Sequence, residues 1–216
     1  MTSSDLATTV LWDVDGTLLD VRGAGRRAFA VALTRVWGDA RALDGISFAG
    51  ATDLGVLAQV LDTSQLDGAR LRAFFDELVV ALDAELRATP ARPIAGALDV
   101  TRALTRAGVP QGLLTGNEER CAHLKLGSAG FERAWFCVGA FGHEHADRDE
   151  LARLAAQRSP GRHVVVGDTP KDVQAARAIG AVAVAVCTGF APRAALEAAR
   201  PDHLLDDLGA LVTLLC

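Results

Sequence analysis

The stretch Thr8-Thr9-Val10-Leu11-Trp12-Asp13-Val14-Asp15-Gly16-Thr17-Leu18-Leu19-Asp20 decides how the rest of this sequence is read. Residues 8–14 (TTVLWDV) are β-branched or apolar until a single carboxylate near the end, the pattern of a short buried strand. Asp13, Asp15 and the Asp15-Gly16-Thr17 turn then stop that strand in a cluster of polar, turn-forming residues.

Downstream of this strand the period changes. Ala28, Phe29, Ala32, Leu33 and Val36 recur at helical spacing over 25–38 and end at Gly38. A second helix is expected over 53–61, with Thr52 as its N-cap, and a third over 64–88, carrying Leu71, Phe74, Phe75, Leu78, Val79, Leu82 and Leu86. Nothing strand-like interrupts this block, so residues 21–88 read as a small all-helical unit inserted after the first strand.

Beyond Pro90 and Pro93 the patterns alternate. Helices are expected over 96–107, 118–126, 149–157 and 173–179, and strands over 111–114, 135–138, 163–166 and 182–186. Such alternation predicts an α/β fold: a parallel, Rossmann-like sheet wrapped by helices through right-handed crossovers, built from residues 1–20 and 89–216. In such folds the ligand sits at the carboxyl ends of the strands.

Composition narrows the class of function. Of 216 residues, 50% are hydrophobic and 23% charged, enough for a sizeable core and incompatible with disorder. A net charge of −5 leaves no electrostatic footprint for nucleic acid or an anionic membrane. Residues 1–7 are polar and the apolar run after them is cut by Asp13 and Asp15, so neither a secretory leader nor a membrane span is expected. Cys121, Cys137, Cys187 and Cys216 lie far apart with no CxxC pair, which reads as buried or idle thiols in a cytoplasmic protein. Monomer and homodimer both remain open.

Three expected strands end alike: Asp13 to Thr17 after the first, Thr115-Gly116-Asn117 after a second, and Gly167-Asp168-Thr169-Pro170-Lys171-Asp172 after a later one. Parallel topology brings all three to one edge. Carboxylates gathered there repel unless a cation joins them. Four aspartates (Asp13, Asp15, Asp168, Asp172) without supporting histidine or cysteine favour Mg²⁺ over zinc.

In order and spacing, WDVDGTLLD, LLTGN and VGDTPKDVQAARAIG resemble the motifs of the haloacid dehalogenase-like hydrolase superfamily. The nearest likeness is to its phosphoglycolate-phosphatase-like branch, and it covers essentially the whole chain. That resemblance implies Asp13 as the nucleophile forming an aspartyl-phosphate, and Asp15 as general acid and base whose carbonyl also meets the metal. It implies Thr115, Gly116 and Asn117 as the phosphate-binding second motif, Asp168 as a Mg²⁺ ligand, and Asp172 as a further ligand or water-mediated partner. The expected substrate is a small phosphorylated metabolite, with phosphoglycolate or a sugar phosphate as candidates.

The family's third motif is normally a lysine, and here the region from Gly142 to Leu151 contains none. Arg148 occupies the fitting place and can grip a phosphate oxygen and a carboxylate, or else it is a solvated arginine at a helix start, paired with Asp149 or Glu150. The only lysines are Lys125, expected on the surface of its helix, and Lys171, expected to be exposed. His143-Glu144-His145 resembles half a metal site but reads better as a loop beside the active site. Arg26 and Arg27, and the loop Gly50 to Asp53, are candidates for specificity or plain helix-start features.

Two other classes stay in view. A phosphomutase of the β-phosphoglucomutase type would share the nucleophile, acid and cap. A catalytically weak binding protein would explain the missing lysine. Carbon–halogen cleavage needs no acid at Asp15, and phosphonate cleavage would need a cap lysine, of which residues 21–88 have none.

Overall fold

The computed structural model describes residues 8–40 and 43–215. Residues 1–7 and Cys216, on which the leader and fourth-thiol readings fell, lie outside them. The chain runs β1 (Thr8–Trp12), β2 (Leu19–Asp20), α1 (Ala24–Trp37), α2 (Asp53–Val60), α3 (Gly68–Ala88), β3 (Arg92–Pro93), α4 (Ala97–Arg106), β4 (Gln111–Thr115) and α5 (Glu119–Ser128). It continues through β5 (Val138–Phe141), α6 (Arg148–Arg158), β6 (Arg162–Gly167), α7 (Pro170–Ala178), β7 (Val182–Val186), α8 (Arg193–Ala199), β8 (His203–Leu205) and α9 (Leu211–Leu215).

The main sheet has six strands in the order β5-β4-β1-β6-β7-β8, every neighbouring pair parallel. After the helical insertion the chain fills β4 and β5 on one side of β1, then returns to fill β6 to β8 on the other. The reversal falls beside β1, where open α/β sheets carry their ligand crevice.

Alternation along the strands sorts the core into two faces. Val10, Trp12, Val164, Val166, Val184 and Val186 join one cluster with large residues of the helical block. Leu11, Val165, Ala183 and Ala185 join Leu151, Ala152, Ala155, Ala175 and Ala176 of α6 and α7 in the other. Alanines on both sides let these two helices lie close to the sheet. Trp12 is fully buried and its indole N–H donates to Gln111 Oε1 at 3.0 Å. Truncating such a side chain to alanine typically costs about 3–5 kcal/mol.

In the helical block α1 packs along α3, with Phe29 against Phe74 at 4.8 Å and against Phe48 at 5.2 Å between ring centroids. Arg26 donates to the carbonyls of Leu43 and Ile46 and lies over the Phe48 ring, while Arg27 binds Glu85. Both candidate specificity arginines are therefore engaged within the block. Leu19 and Asp20 pair with Pro93 and Arg92 in a two-stranded antiparallel ribbon where the chain enters and leaves it.

Several expected boundaries shift. The third helix of the block begins at Gly68, because Asp67 caps it by accepting from the amides of Ala69 and Arg70. The strand expected over 135–138 is instead Val138–Phe141. Trp135 and Phe136 pack with Phe131, and Gly139 takes its place in the strand beneath the Phe141 ring, where a Cβ would come within 2.3 Å. The ribbon, α8, β8 and α9 were not anticipated. Among the described cysteines, Cys121 is buried, Cys187 half-buried and Cys137 exposed, all as free thiols. Among the described residues no helix is long and apolar enough to cross a membrane.

Candidate active site

Three adjacent strands, β4, β1 and β6, deliver the polar clusters to one edge. The amide of Asp13 donates to the Val166 carbonyl at 2.9 Å, extending the β1–β6 pairing by one residue, and Asp168 follows β6 directly. Gly16 has φ +85°, a conformation that favours glycine. A Cβ there would meet Asp168 Oδ2 at 2.5 Å, so the left-handed turn also makes room for that carboxylate.

Asp13, Asp168 and Asp172 are buried, and one oxygen of each lies within 4.8 Å of the others. The Asp15 side chain is not in this group. Asp168 accepts from the Phe190 amide at 2.6 Å and from Thr17 Oγ1 at 3.4 Å. Thr188 Oγ1 donates to the Gly16 carbonyl at 2.8 Å, so the loop after β7 braces the first turn. Asp172 closes a capping box with Thr169, whose amide and hydroxyl both donate to Asp172 Oδ2.

Arg148 is 6% exposed and is not a solvated helix-start residue. Its Nη2 donates to Asp13 Oδ1 at 2.7 Å, to Asp172 Oδ1 at 2.6 Å and to the Leu114 carbonyl at 3.1 Å. Asp147 caps α6 immediately before it, which fixes the helix start and aims the side chain at the strand ends.

Lys125 corrects the surface reading. It is 4% exposed, and its ammonium donates to Asp15 Oδ2 at 2.7 Å and to Asn117 Oδ1. Asn117 Nδ2 donates to the same Asp15 oxygen at 2.7 Å and to Thr115 Oγ1 at 2.8 Å. The signal was present in the sequence: Cys121, Ala122, Lys125 and Leu126 form the buried face of α5, a stripe in which a lysine is anomalous. Helix side chains lean toward the N-terminus, which carries this ammonium back to the start of α5. Lys171 is exposed, as expected.

The electrostatics follow the crowding. Burial, and then the charges of Asp172 and Asp168 against the pull of Arg148, push the Asp13 carboxyl well above the usual range. Burial and the Asp172 charge raise Asp168 to about 7. Burial works against the charge on Arg148, but Asp172 and Asp13 more than offset it and hold the guanidinium protonated. At Lys125 desolvation is likewise outweighed, by Asp15 together with Asp53 and Cys121, and its pKa stays above the ordinary value.

Three buried carboxylates, with Asp13 and Asp168 pushed upward by burial and neighbouring charge, form a hard-oxygen donor set of the kind a divalent cation relieves. It is the one such group among the described residues. His143 packs instead between Phe141 and Phe75, Glu144 is held by Arg158, and His145 accepts from the Asp147 amide.

The site opens into a cavity of about 390 Å³ beneath the helical block. Asp13, Asp15, Thr115, Gly116, Asn117 and Arg148 line its floor, and Phe48, Leu78 and Leu82 its roof. Thr52 caps α2 as expected, accepting from the Gly55 amide. The block sits down on the strand ends: the amides of Asp53 and Leu54 donate to the carbonyls of Gly116 and Gly142 at 2.7 and 2.9 Å. In return Asp53 Oδ2 accepts from the Glu118 amide at 2.7 Å.

The family model described as haloacid dehalogenase-like hydrolase matches residues 7–180. A phosphoglycolate phosphatase of Agrobacterium fabrum is 29% identical over 98% of this chain and 93% of its own length. A phosphoglycolate phosphatase of Synechococcus elongatus is 34% identical over 51% of this chain and 53% of its own length. Among solved structures, a haloacid dehalogenase-like family hydrolase from Streptococcus pneumoniae superposes over all of both chains with a TM-score of 0.68 at 19% identity. CbbY from Rhodobacter sphaeroides in complex with phosphate gives 0.68 at 24% identity, covering 94% of this chain and 96% of its own.

Proposed function

Since the chain belongs to the haloacid dehalogenase-like hydrolases, we propose that it is a magnesium-dependent phosphatase of small phosphate monoesters, acting through an aspartyl-phosphate on Asp13. The observation that carries the reading is the contact of Arg148 with Asp13 beside Asp168 and Asp172, on the floor of a cavity roofed by helices. Residues 21–88 act in this reading as a cap over a core of 1–20 and 89–216. Phosphoglycolate, named for relatives that include the Agrobacterium protein, is the first substrate to try, with sugar phosphates next.

In the first half-reaction an Asp13 carboxylate oxygen attacks phosphorus, the ester bond to the leaving oxygen breaks, and that oxygen takes a proton from Asp15. In the second, water attacks the phosphoryl group and gives its proton to Asp15, the bond from phosphorus to Asp13 breaks, and phosphate leaves. Arg148 stays charged and supplies the positive partner that the family's lysine usually provides, gripping a phosphoryl oxygen while holding Asp13. Thr115 and the Gly116 amide bind the phosphoryl oxygens, and Asn117 completes this substrate-binding segment by holding Thr115 Oγ1. Asp13, Asp168 and the Asp15 carbonyl would hold magnesium, with Asp172 as a further ligand or water-mediated partner, and the ion would supply charge neutralisation between nucleophile and phosphate. The apolar roof keeps bulk water from the phosphoenzyme.

The buried Arg148–Asp13 contact also supports an active enzyme over a weak binder lacking its cation. The test is a panel of phosphate esters with magnesium, run on the protein and on Asp13→Asn in isotopically labelled water. Release of phosphate carrying solvent oxygen, abolished by Asp13→Asn, is expected. Undiminished turnover by that variant removes Asp13 from the mechanism.

A further inference from the structure

We propose that Lys125 is a positioning residue for proton transfer: with Asn117 it holds Asp15 by Oδ2 and so leaves Oδ1 as the oxygen that exchanges the proton. The inference rests on the role given to Asp15 above. It concerns Asn117, just ahead of α5, and Lys125, in the last turn of that helix, which the family motifs do not explain together.

Asp15 Oδ2 accepts two hydrogen bonds of 2.7 Å, from Lys125 Nζ and Asn117 Nδ2. The lysine also donates to Asn117 Oδ1, which closes a ring of three side chains and sets which way the amide faces. A carboxylate gripped twice on one oxygen cannot turn freely. Its other oxygen, Oδ1, is buried and makes no hydrogen bond, and Asp15 lines the cavity. Gly25 at the start of α1 covers the ammonium, and a Cβ there would lie 3.3 Å from Nζ.

Stability alone is a poor reason for this arrangement, because a buried ion pair often contributes no more than apolar side chains of similar size. Held orientation is a better one. As the ester bond breaks, the proton passes from Asp15 Oδ1 to the leaving oxygen. As water attacks the phosphoenzyme, its proton passes to the same Oδ1. Lys125 keeps its protons throughout and acts through Asp15. Assistance of this kind matters most for poor leaving groups, so the clamp suits unactivated esters.

The test compares kcat/KM, with magnesium, for phenyl phosphate and dinitrophenyl phosphate. The second leaving group departs without a proton and the first does not. Lys125→Met, which keeps the length and loses the charge, should lose on phenyl phosphate at least about tenfold more than on dinitrophenyl phosphate. Lys125→Arg should recover part of that difference. Equal losses on both esters, or none, overturn the proposal and leave Lys125 a structural residue. If circular dichroism finds Lys125→Met unfolded, Asn117→Ala removes the other donor to Oδ2 and must show the same bias, and an unbiased loss again overturns it. Asp15→Asn run alongside separates the two levels of argument: a variant showing no bias removes Asp15 as the acid, and the clamp with it.

Discussion

Arg148 and Asp13, 135 residues apart in the chain, are joined by a 2.7 Å hydrogen bond in a buried setting. The same guanidinium nitrogen reaches Asp172, so one cation is shared between the end of β1 and the first turn of α7. Removing it leaves a cluster of buried carboxylates without their protein counter-charge. Arg148→Ala should lower kcat/KM about 100- to 1,000-fold and destabilise the magnesium-free protein by about 3–5 kcal/mol. Arg148→Lys keeps a charge of the kind usual at this motif and should lose far less of both. Steady-state kinetics and urea unfolding check the two parts independently.

Magnesium binding should depend on pH in a defined direction. Burial and Asp172 raise the Asp168 pKa from 3.8 to about 7, so the folded chain holds that proton more tightly than the unfolded chain. Its contribution to stability is full below about 4 and is lost as pH rises through about 7. A cation and the proton compete for the same oxygens, so metal binds better as pH rises across that value. The rise in Tm on adding saturating magnesium to chelator-treated protein should grow between pH about 6 and about 8, reaching roughly 5–10 °C. Calorimetry on Asp168→Asn should show little shift at any pH.

Much of this arrangement was legible in the sequence because short-range rules dominate there. A β-branched run stopped by Asp13 and Asp15 reads as β1, and the switch to helical spacing after it reads as the inserted block. Arg148 stands where the family resemblance puts the third-motif lysine, at the start of its helix, and the structure brings it to Asp13. Lys125 was misread because a lone lysine is ordinarily solvated, and only its place in the apolar stripe of α5 argued otherwise. The strand at β5 slipped because aromatic packing of Trp135 and Phe136, a tertiary effect, imitates a strand pattern. The bracing of Asp168 by the Phe190 amide joins residues 22 apart through a backbone group, which has no sequence signature.

Asp53 gives a second pH signal, at the seam between helical block and sheet. Burial is the main cause of its rise from 3.8 to about 6, opposed by Lys125 and the Glu118 amide, with Asp15 and Glu118 adding repulsion. Its stabilising contribution is therefore full below about 4 and lost by the time pH passes about 6. Asparagine still offers an acceptor to the Glu118 amide but does not ionise. Asp53→Asn should gain stability relative to the parent as pH rises through that window and hold the gain above it. Urea midpoints at a series of pH values read this directly, and a constant difference would rule out Asp53 as the titrating group.

Close approach of the block to the sheet edge depends on Gly116. A Cβ there would stand 1.9 Å from the Ala51 carbonyl oxygen and 2.8 Å from its carbon, both backbone atoms that no rotamer change can move. Gly116→Ala must therefore push the 50–54 segment outward and break the bond from the Asp53 amide to the Gly116 carbonyl. If the seated block positions the substrate, a displacement of this size should cost about 100-fold in kcat/KM, against a stability loss of only about 1–3 kcal/mol. Hydrogen exchange should quicken at the amides of Asp53 and Leu54 and stay slow in β1 and β6. Gly127 is the control: it lies within α5, an added Cβ meets nothing within 4 Å, and Gly127→Ala should stabilise the protein by roughly 0.4–1 kcal/mol with activity intact. Full activity in Gly116→Ala despite faster exchange would mean that chemistry proceeds with the block raised, and that the contacts of Asp53 and Leu54 serve stability alone.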